Sequence, residues 1–415
     1  MSTQVNDDSA LVERAARRLE WIRSRMPLLA GAREHFAQTQ PFAGHTIGMS
    51  LHLEPKTAIL VETLAAGGAT VVGTGNHGST QDDIAAFLRS QGLTIFGRRD
   101  DTLEQHHENV AAVLDARPSI LLDNGADLAA GVIARGSVAG VGGGESSEGS
   151  ADLGGAAVLG GTEETTSGAN RLRAELAGRV PFPVIVINDS VLKQIGENRH
   201  AVGQSVVESF MRITNLMIPG ARFVVVGYGW CGRGVAQYLR SLGGKVAIAE
   251  IDELKAFEAA LDGYRVDSAV GLASWADVVI TATGQPGVVG PEVFAELSDG
   301  VVLANCGHFP WEIDVPALMA SATKAVAVDE AIDRIELPDG RSVVLIAQGR
   351  MFNLAGREPK GNSIQSMDLG FMLQALSLER VALGAAGLVA GAQPVPDDIE
   401  RTIARRLLAS MAASL

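Results

Sequence analysis

Three glycines, Gly227, Gly229 and Gly232, stand at GxGxxG spacing in the stretch GYGWCG, directly after the apolar run 223–226 and before a helical stretch. They differ in role. The first permits a tight turn, the second lets a pyrophosphate approach the backbone, and the third lets the helix lie close to the strand. The phosphates then rest on the N–H groups at the helix start. A second apolar run, 245–249, ends at Glu250, where a carboxylate can bind a ribose diol, and an acid there favours NAD over its 2′-phosphorylated form. Trp230 and Cys231 lie in the turn itself and join these residues as candidate cofactor contacts. Two further clusters place polar groups where open α/β sheets hold ligands. His52, Glu54 and Lys56 lie in a loop that opens a helix, and Asp123, Asn124 and Asp127 end the strand 119–122. The loop 75–83 starts another helix, with Ser79, Thr80 or Gln81 near its cap.

These groups need a scaffold. The chain of 415 residues, 47% of them hydrophobic, is too long for one small core, so two domains are expected. Strands at 45–49, 70–73, 94–96, 119–122 and 184–187, then 223–226, 245–249, 278–281, 301–304 and 342–347, alternate with helices, the pattern of parallel doubly wound sheets. Residues 9–37 read as amphipathic helices on a surface, 363–388 as an apolar helix and 395–415 as a final amphipathic one. Residues 137–161, rich in glycine and serine, read at least in their first half as a mobile loop.

A net charge of −14 and a pI near 5.1 leave no basic surplus to neutralise phosphates, which argues against nucleic acid and anionic membranes as partners and for a small-molecule ligand. Cys231 and Cys306 are the only cysteines, too few for a disulfide framework. His52, His77, His200 and His308 lie on separate elements without the spacing of a metal cage, so no metal is expected. Acids in the first 22 residues and no apolar span of 18 point to a cytoplasmic protein without a signal peptide.

Taken together, the motifs resemble those of the S-adenosylhomocysteine hydrolases. The matches run along most of the chain: LHLEPKTAILVETLAAGGA, STQD at 79–82, LDNGADL at 122–128, EETTSG at 163–168, NDSVLK at 188–193, VVVGYGWCGRGVA, AEID, NCGHFPWEID at 305–314 and LIAQGRMFNL at 345–354. The resemblance implies an α/β fold of two doubly wound parallel-sheet domains. A substrate domain would span 1–200 and a Rossmann NAD domain 201–355, with helices from 356–415 returning to the first. It implies a homo-oligomer, and a tightly held NAD that oxidises a ribose 3′-hydroxyl so that homocysteine can be eliminated, water added and the ketone reduced again. Lys193 and Glu164 then match the residues at the ribose hydroxyls, and His52 a catalytic histidine. Glu54, Lys56, Ser79, Thr80, Gln81, Asp82, His308 and Asn362 fall at substrate-binding positions. Thr165, Thr166, Ser167, Asn198, Glu250, Asn305 and Asn353 fall at NAD contacts.

The departures are concentrated. Asn124 stands where the family has a catalytic aspartate, and an amide is no general base. Glu197 replaces a second aspartate. Glu54 and Lys56 replace a threonine and a Glu or Gln that contact the adenosine; histidines expected near Val293 and Asn362 are missing; Lys255 replaces an asparagine at the cofactor. The Lys and Tyr tail that many members send to a neighbour's NAD has no counterpart here. Base-recognition and acid/base positions change while ribose and NAD positions persist. This asymmetry leads us to expect retained redox chemistry on an altered nucleoside or nucleoside-like substrate; the alternative is a non-catalytic NAD-binding paralogue. A D-2-hydroxyacid dehydrogenase would need an arginine after the strand 301–304, and CGHFPWEID has none.

Overall fold

The computed structural model describes residues 2–76, 78–139, 158–307 and 310–412. Most of the expected Gly/Ser loop, His77 and His308 lie outside them. The chain divides into two compact units, one of Met1–Lys193 with Ile364–Leu415 and one of Gln194–Ser363. The division falls a few residues from the expected boundaries, because residues 194–201 form a π-helical turn that packs on the helices of the second unit.

The first unit holds seven parallel strands: β1 (Thr46–Leu51), β2 (Thr70–Gly75), β3 (Thr94–Phe96), β4 (Ile120–Asp123), β5 (Gly160–Glu163), β6 (Pro183–Val186) and, from the end of the chain, β15 (Gly391–Pro394). Their order is β15-β6-β5-β4-β1-β2-β3. Alternation along the strands divides the interior into two layers. Ile47, Met49, Ile120, Leu122 and Ile185 join one core with Leu60 and Phe371. Leu121, Val184 and Val186 join the other with Val113 and Val132. Helix Ile364–Ala382 contributes more than apolar contacts. Its buried Asp368 accepts the N–H groups of Leu28 and Leu29, both at 2.9 Å, and so caps helix Pro27–Thr39, which lacks a side-chain cap of its own. Burial raises the Asp368 carboxyl to about 6, against the pull of those two donors.

The second unit is an eight-stranded sheet. Five parallel strands come first in the chain: β7 (Arg222–Val226), β8 (Lys245–Ala249), β9 (Arg265–Asp267), β10 (Val278–Thr281) and β11 (Val301–Asn305). They are joined by β12 (Lys324–Asp329), β13 (Ile332–Glu336) and β14 (Ser342–Ile346), giving the order β12-β13-β14-β11-β10-β7-β8-β9. The expected parallel strands form the body of this sheet, and β12, β13 and β14 extend it by pairing antiparallel with one another at one edge. The edge hairpin escaped sequence reading because every residue of β12 is exposed, so no buried face marks it. Among the described residues no helix is long and apolar enough to cross a membrane.

Candidate active site and cofactor fold

In the first unit, candidate groups gather at the carboxyl ends of neighbouring strands. Glu164 follows β5, and Lys193 ends the short helix Val191–Lys193 beyond β6. Lys193 Nζ pairs with Glu164 Oε1, and both side chains are almost wholly buried. The other carboxylate oxygen, Oε2, accepts Nε2 of Gln374, which comes from helix Ile364–Ala382 and is fully buried. Taking two charges out of water is costly, and the arrangement persists only when the partners are well paired, as here. Gln374 was absent from the sequence candidates. Its one signal was a polar residue, with Asp368 and Ser377, on a helix otherwise read as apolar. Asn124, just past β4, is 1% exposed, and neither side-chain amide atom has a partner among the described residues. It can donate and accept, but it cannot take up a proton.

At the end of β1, His52 Nδ1 lies 2.7 Å from Ser79 Oγ, and Ser79 donates in turn to Asn76 O at 3.0 Å. Of the four residues 79–82, Ser79 is the one the fold brings to His52. Thr80 is buried nearby in sequence, whereas Gln81 Oε1 accepts Arg18 at 2.7 Å and Asp82 Oδ1 accepts the Arg99 N–H at 3.1 Å. Lys56 is not in the loop, as expected, but in the first turn of helix Pro55–Ala66, with Glu54 at the N-cap position. The two form a buried ion pair at 2.7 Å.

Behind these groups lie two further carboxyls. Burial, then the charges of Glu163 and Asp127, push Asp123 well above the usual range. Burial also raises Glu163, against several N–H donors.

In the second unit, β7 runs into the glycine turn as expected. Gly227 has φ +99°, and a Cβ on Gly232 would fall 1.9 Å from Gly227 O, so no larger residue fits there. Gly229 is the N-cap of helix Trp230–Ser241, makes no side-chain cap, and leaves open space where its Cβ would be. Glu250, past β8, accepts Tyr228 N–H at 2.7 Å, which sets its carboxylate against the turn. A glycine turn that feeds a helix start beside a carboxylate fits a dinucleotide's pyrophosphate and ribose. Glu250→Ala is expected to weaken NAD retention about tenfold to hundredfold, the value of a lost charged hydrogen bond, read by cofactor content after gel filtration. Unchanged content would remove Glu250 from the site.

Other candidates form a chain of hydrogen bonds in this unit. Asn362 Nδ2 donates to Glu197 Oε1 at 3.3 Å, Ser205 Oγ to Asn362 Oδ1 at 3.1 Å, and Asn353 Nδ2 to Ser205 Oγ at 3.1 Å. Glu197 and Asn198 are buried on the π-helical turn, a form that often marks functional sites. Asn305 is more a loop tie than an open contact: it accepts from Thr281 Oγ1 and Gly307 N and donates to Gly349 O, at 2.9, 2.7 and 2.9 Å. Glu312, not singled out from sequence, accepts Thr283 N, Thr283 Oγ1 and Gly284 N at 2.8, 2.8 and 2.7 Å and so shapes the neighbouring loop. Cys231 is half-buried in the first turn of its helix, and burial, then Cys231 and Glu312, hold the Cys306 thiol protonated. Val293, where a histidine was expected, lies in the apolar core.

A glycine-turn dinucleotide fold, in a chain whose other sheet carries a buried lysine–carboxylate pair, defines an NAD-dependent enzyme. The family model described as S-adenosyl-L-homocysteine hydrolase, NAD binding domain, matches residues 198–358, and that described as S-adenosyl-L-homocysteine hydrolase matches residues 4–150. An S-inosyl-L-homocysteine hydrolase from Methanopyrus kandleri is 42% identical over 98% of this chain and 93% of its own. Another protein of that name, from Methanothermobacter thermautotrophicus, is 40% identical over 97% and 93%. An adenosylhomocysteinase from Archaeoglobus fulgidus is 38% identical over 96% and 95%. The chain belongs to the S-adenosyl-L-homocysteine hydrolase family and is a hydrolase that uses NAD as an internal redox cofactor.

Proposed function

We propose that this protein cleaves the thioether of homocysteine with a 6-oxopurine nucleoside, S-inosyl-L-homocysteine, by reversible oxidation of the ribose 3′-hydroxyl. The observation that carries this reading is the buried Glu54–Lys56 pair at 2.7 Å, at positions where the family's contacts to adenosine are a threonine and a Glu or Gln. A lysine ammonium has donors and no acceptor. Set opposite position 6, with Glu54 opposite N1, it suits the 6-oxygen of hypoxanthine, an acceptor, and not the 6-amino group of adenine, a donor. Glu54 can accept the N1–H that hypoxanthine has and adenine lacks. The names of two relatives support the same choice, while that of the Archaeoglobus fulgidus relative supports the adenosyl compound as the second reading.

In this reading Lys193, after passing its own proton to Glu164, takes the proton of the 3′-hydroxyl as the neutral amine, and His52 with Ser79 serves the leaving-group side. Bound NAD supplies the reversible oxidation. Asn124 orients a hydroxyl or water by hydrogen bonding rather than by proton transfer, and Glu197 remains the ionisable group that replaces the second aspartate. Thr165, Thr166, Ser167, Asn198, Asn305 and Asn353 hold the cofactor and its loops.

The test is a single-turnover absorbance scan of the NAD-loaded protein. Inosine and S-inosyl-L-homocysteine are expected to raise the reduced-nicotinamide band at least about tenfold more efficiently than adenosine and its thioether, the discrimination of one or two unmatched polar groups. The reverse order would establish the adenosyl reading. No band with any nucleoside, although NAD is bound, would leave a non-catalytic NAD-binding protein.

A further inference from the structure

The carboxylate of Glu163 is fully buried and accepts four hydrogen bonds from two different loops. Oε1 takes Gly125 N at 3.0 Å, Thr165 N at 2.8 Å and Thr165 Oγ1 at 2.8 Å, and Oε2 takes Ala126 N at 2.9 Å. One of these loops begins with Asn124 and follows β4; the other begins with Glu164 and follows β5. Asp123 and Glu163 are register partners at the ends of those strands.

The first loop does not hold its shape by local preference. Gly125 and Ala126 have φ of +91° and +60°, and an alanine enters the left-handed region only when its surroundings require it. Consecutive N–H groups in such a turn make a concave nest for an anion. Here the chain's own Glu163 fills that nest. On the second loop, Thr165 gives its hydroxyl hydrogen to Glu163, which leaves its oxygen lone pair for the Gly168 N–H at 3.1 Å and so caps helix Thr166–Arg173. The helix is shaped to leave the carboxylate room, since a Cβ on Gly168 would lie 2.1 to 2.4 Å from its carboxyl atoms.

We propose that Glu163 is a positioning residue: it touches neither substrate nor cofactor, but fixes Asn124, Glu164 and Thr165 relative to one another, and the reaction depends on that geometry. The inference rests on the reading that Glu164 and Lys193 act at a ribose hydroxyl. A glutamine in its place would keep one acceptor oxygen and turn an NH2 group toward N–H donors, releasing one loop while changing little in volume.

The experiment compares full-length, NAD-loaded wild type, Glu163→Gln and Gly168→Ala in single turnovers with inosine and adenosine. In Glu163→Gln the first-order rate constant of the nicotinamide band at saturating nucleoside is expected to fall at least about thirtyfold, as for a displacement of under an ångström at reacting groups. The nucleoside Kd should change less than about threefold, because the contacting side chains remain. Gly168→Ala, which displaces the same carboxylate without altering its charge, should show a smaller loss of the same kind. In a Glu163→Ala background it should cost nothing further, since the space is then free. A purely structural role would lower the amplitude, which counts folded sites, and leave the rate constant unchanged; that result overturns the proposal. Loss of soluble protein in both single variants would also overturn it, by making Glu163 a folding residue. If the wild type forms the band with neither nucleoside, the functional reading fails and takes this inference with it. A wild-type band with an unchanged Glu163→Gln rate constant defeats the inference alone.

Discussion

Replacing Lys193 by alanine is expected to slow the nucleoside-driven appearance of reduced nicotinamide by at least about a thousandfold, the upper part of the range for loss of a general base. The geometry gives a second, separable effect. Glu164 has one oxygen on Lys193 and the other on Gln374, with almost no contact with water. Without the ammonium a buried carboxylate loses its charged partner, at a cost of about 3–5 kcal/mol in stability. The urea midpoint should therefore fall as well. The double variant Lys193→Ala/Glu164→Gln separates the two, because a neutral pair recovers most of the stability and none of the rate. A single variant whose rate constant stays within about tenfold of wild type would remove Lys193 from the chemistry, whatever happens to its stability.

The second large effect concerns the base. Lys56→Gln is expected to lower kcat/KM for the inosyl substrate by about a hundredfold and to leave or improve that for the adenosyl substrate, so the ratio of the two should move by two orders of magnitude or more. A glutamine can turn its oxygen toward an amino group or its NH2 toward a carbonyl, so it restores the acceptor that an ammonium lacks. Glu54 would lose its partner at 2.7 Å, and stability should drop too. Competition between the two nucleosides in one reaction reads the ratio free of that loss. An unchanged ratio would mean that Lys56 does not face the base, and the preference for a 6-oxopurine would lose its main support.

Much of this site was legible because the residues involved are close in sequence. The glycine turn follows its strand directly, and Glu250 ends the next apolar run. The polar loops at 52–56 and 79–82 also announce themselves by interrupting apolar stretches. Glu164 and Lys193 were named through the family resemblance, whereas their contact and the part of Gln374 depend on distance along the chain. Glu164 and Lys193 are 29 residues apart, and Gln374 reaches Glu164 across 210. Only adjacent strands and a returning helix bring the three together. Asp368 likewise caps a helix 340 residues away, so no local signal foretold it. Within the second loop, sequence could name Ser79, Gln81 and Asp82 but not divide them. That Ser79 joins His52, while Gln81 and Asp82 serve Arg18 and the Arg99 backbone, follows from loop geometry that residue types do not encode. Strand β15, GAQP, has neither β-branched nor aromatic residues and lies at a sheet edge, where pairing to β6 alone decides its form.

The position of that last strand has a consequence for synthesis. The first sheet needs β15 and helix Ile364–Ala382, yet the ribosome makes the whole Gln194–Ser363 unit before either. The dinucleotide fold is contiguous and can close as soon as it emerges. The earlier unit must wait, on the order of ten seconds or more at ordinary elongation rates, with β6 unpaired on one side and the layer around Ile185 and Leu122 uncovered by Phe371. For that interval the nascent chain carries six strands of the first sheet with one edge open, so the later-made segment works as a clasp that ends the exposure.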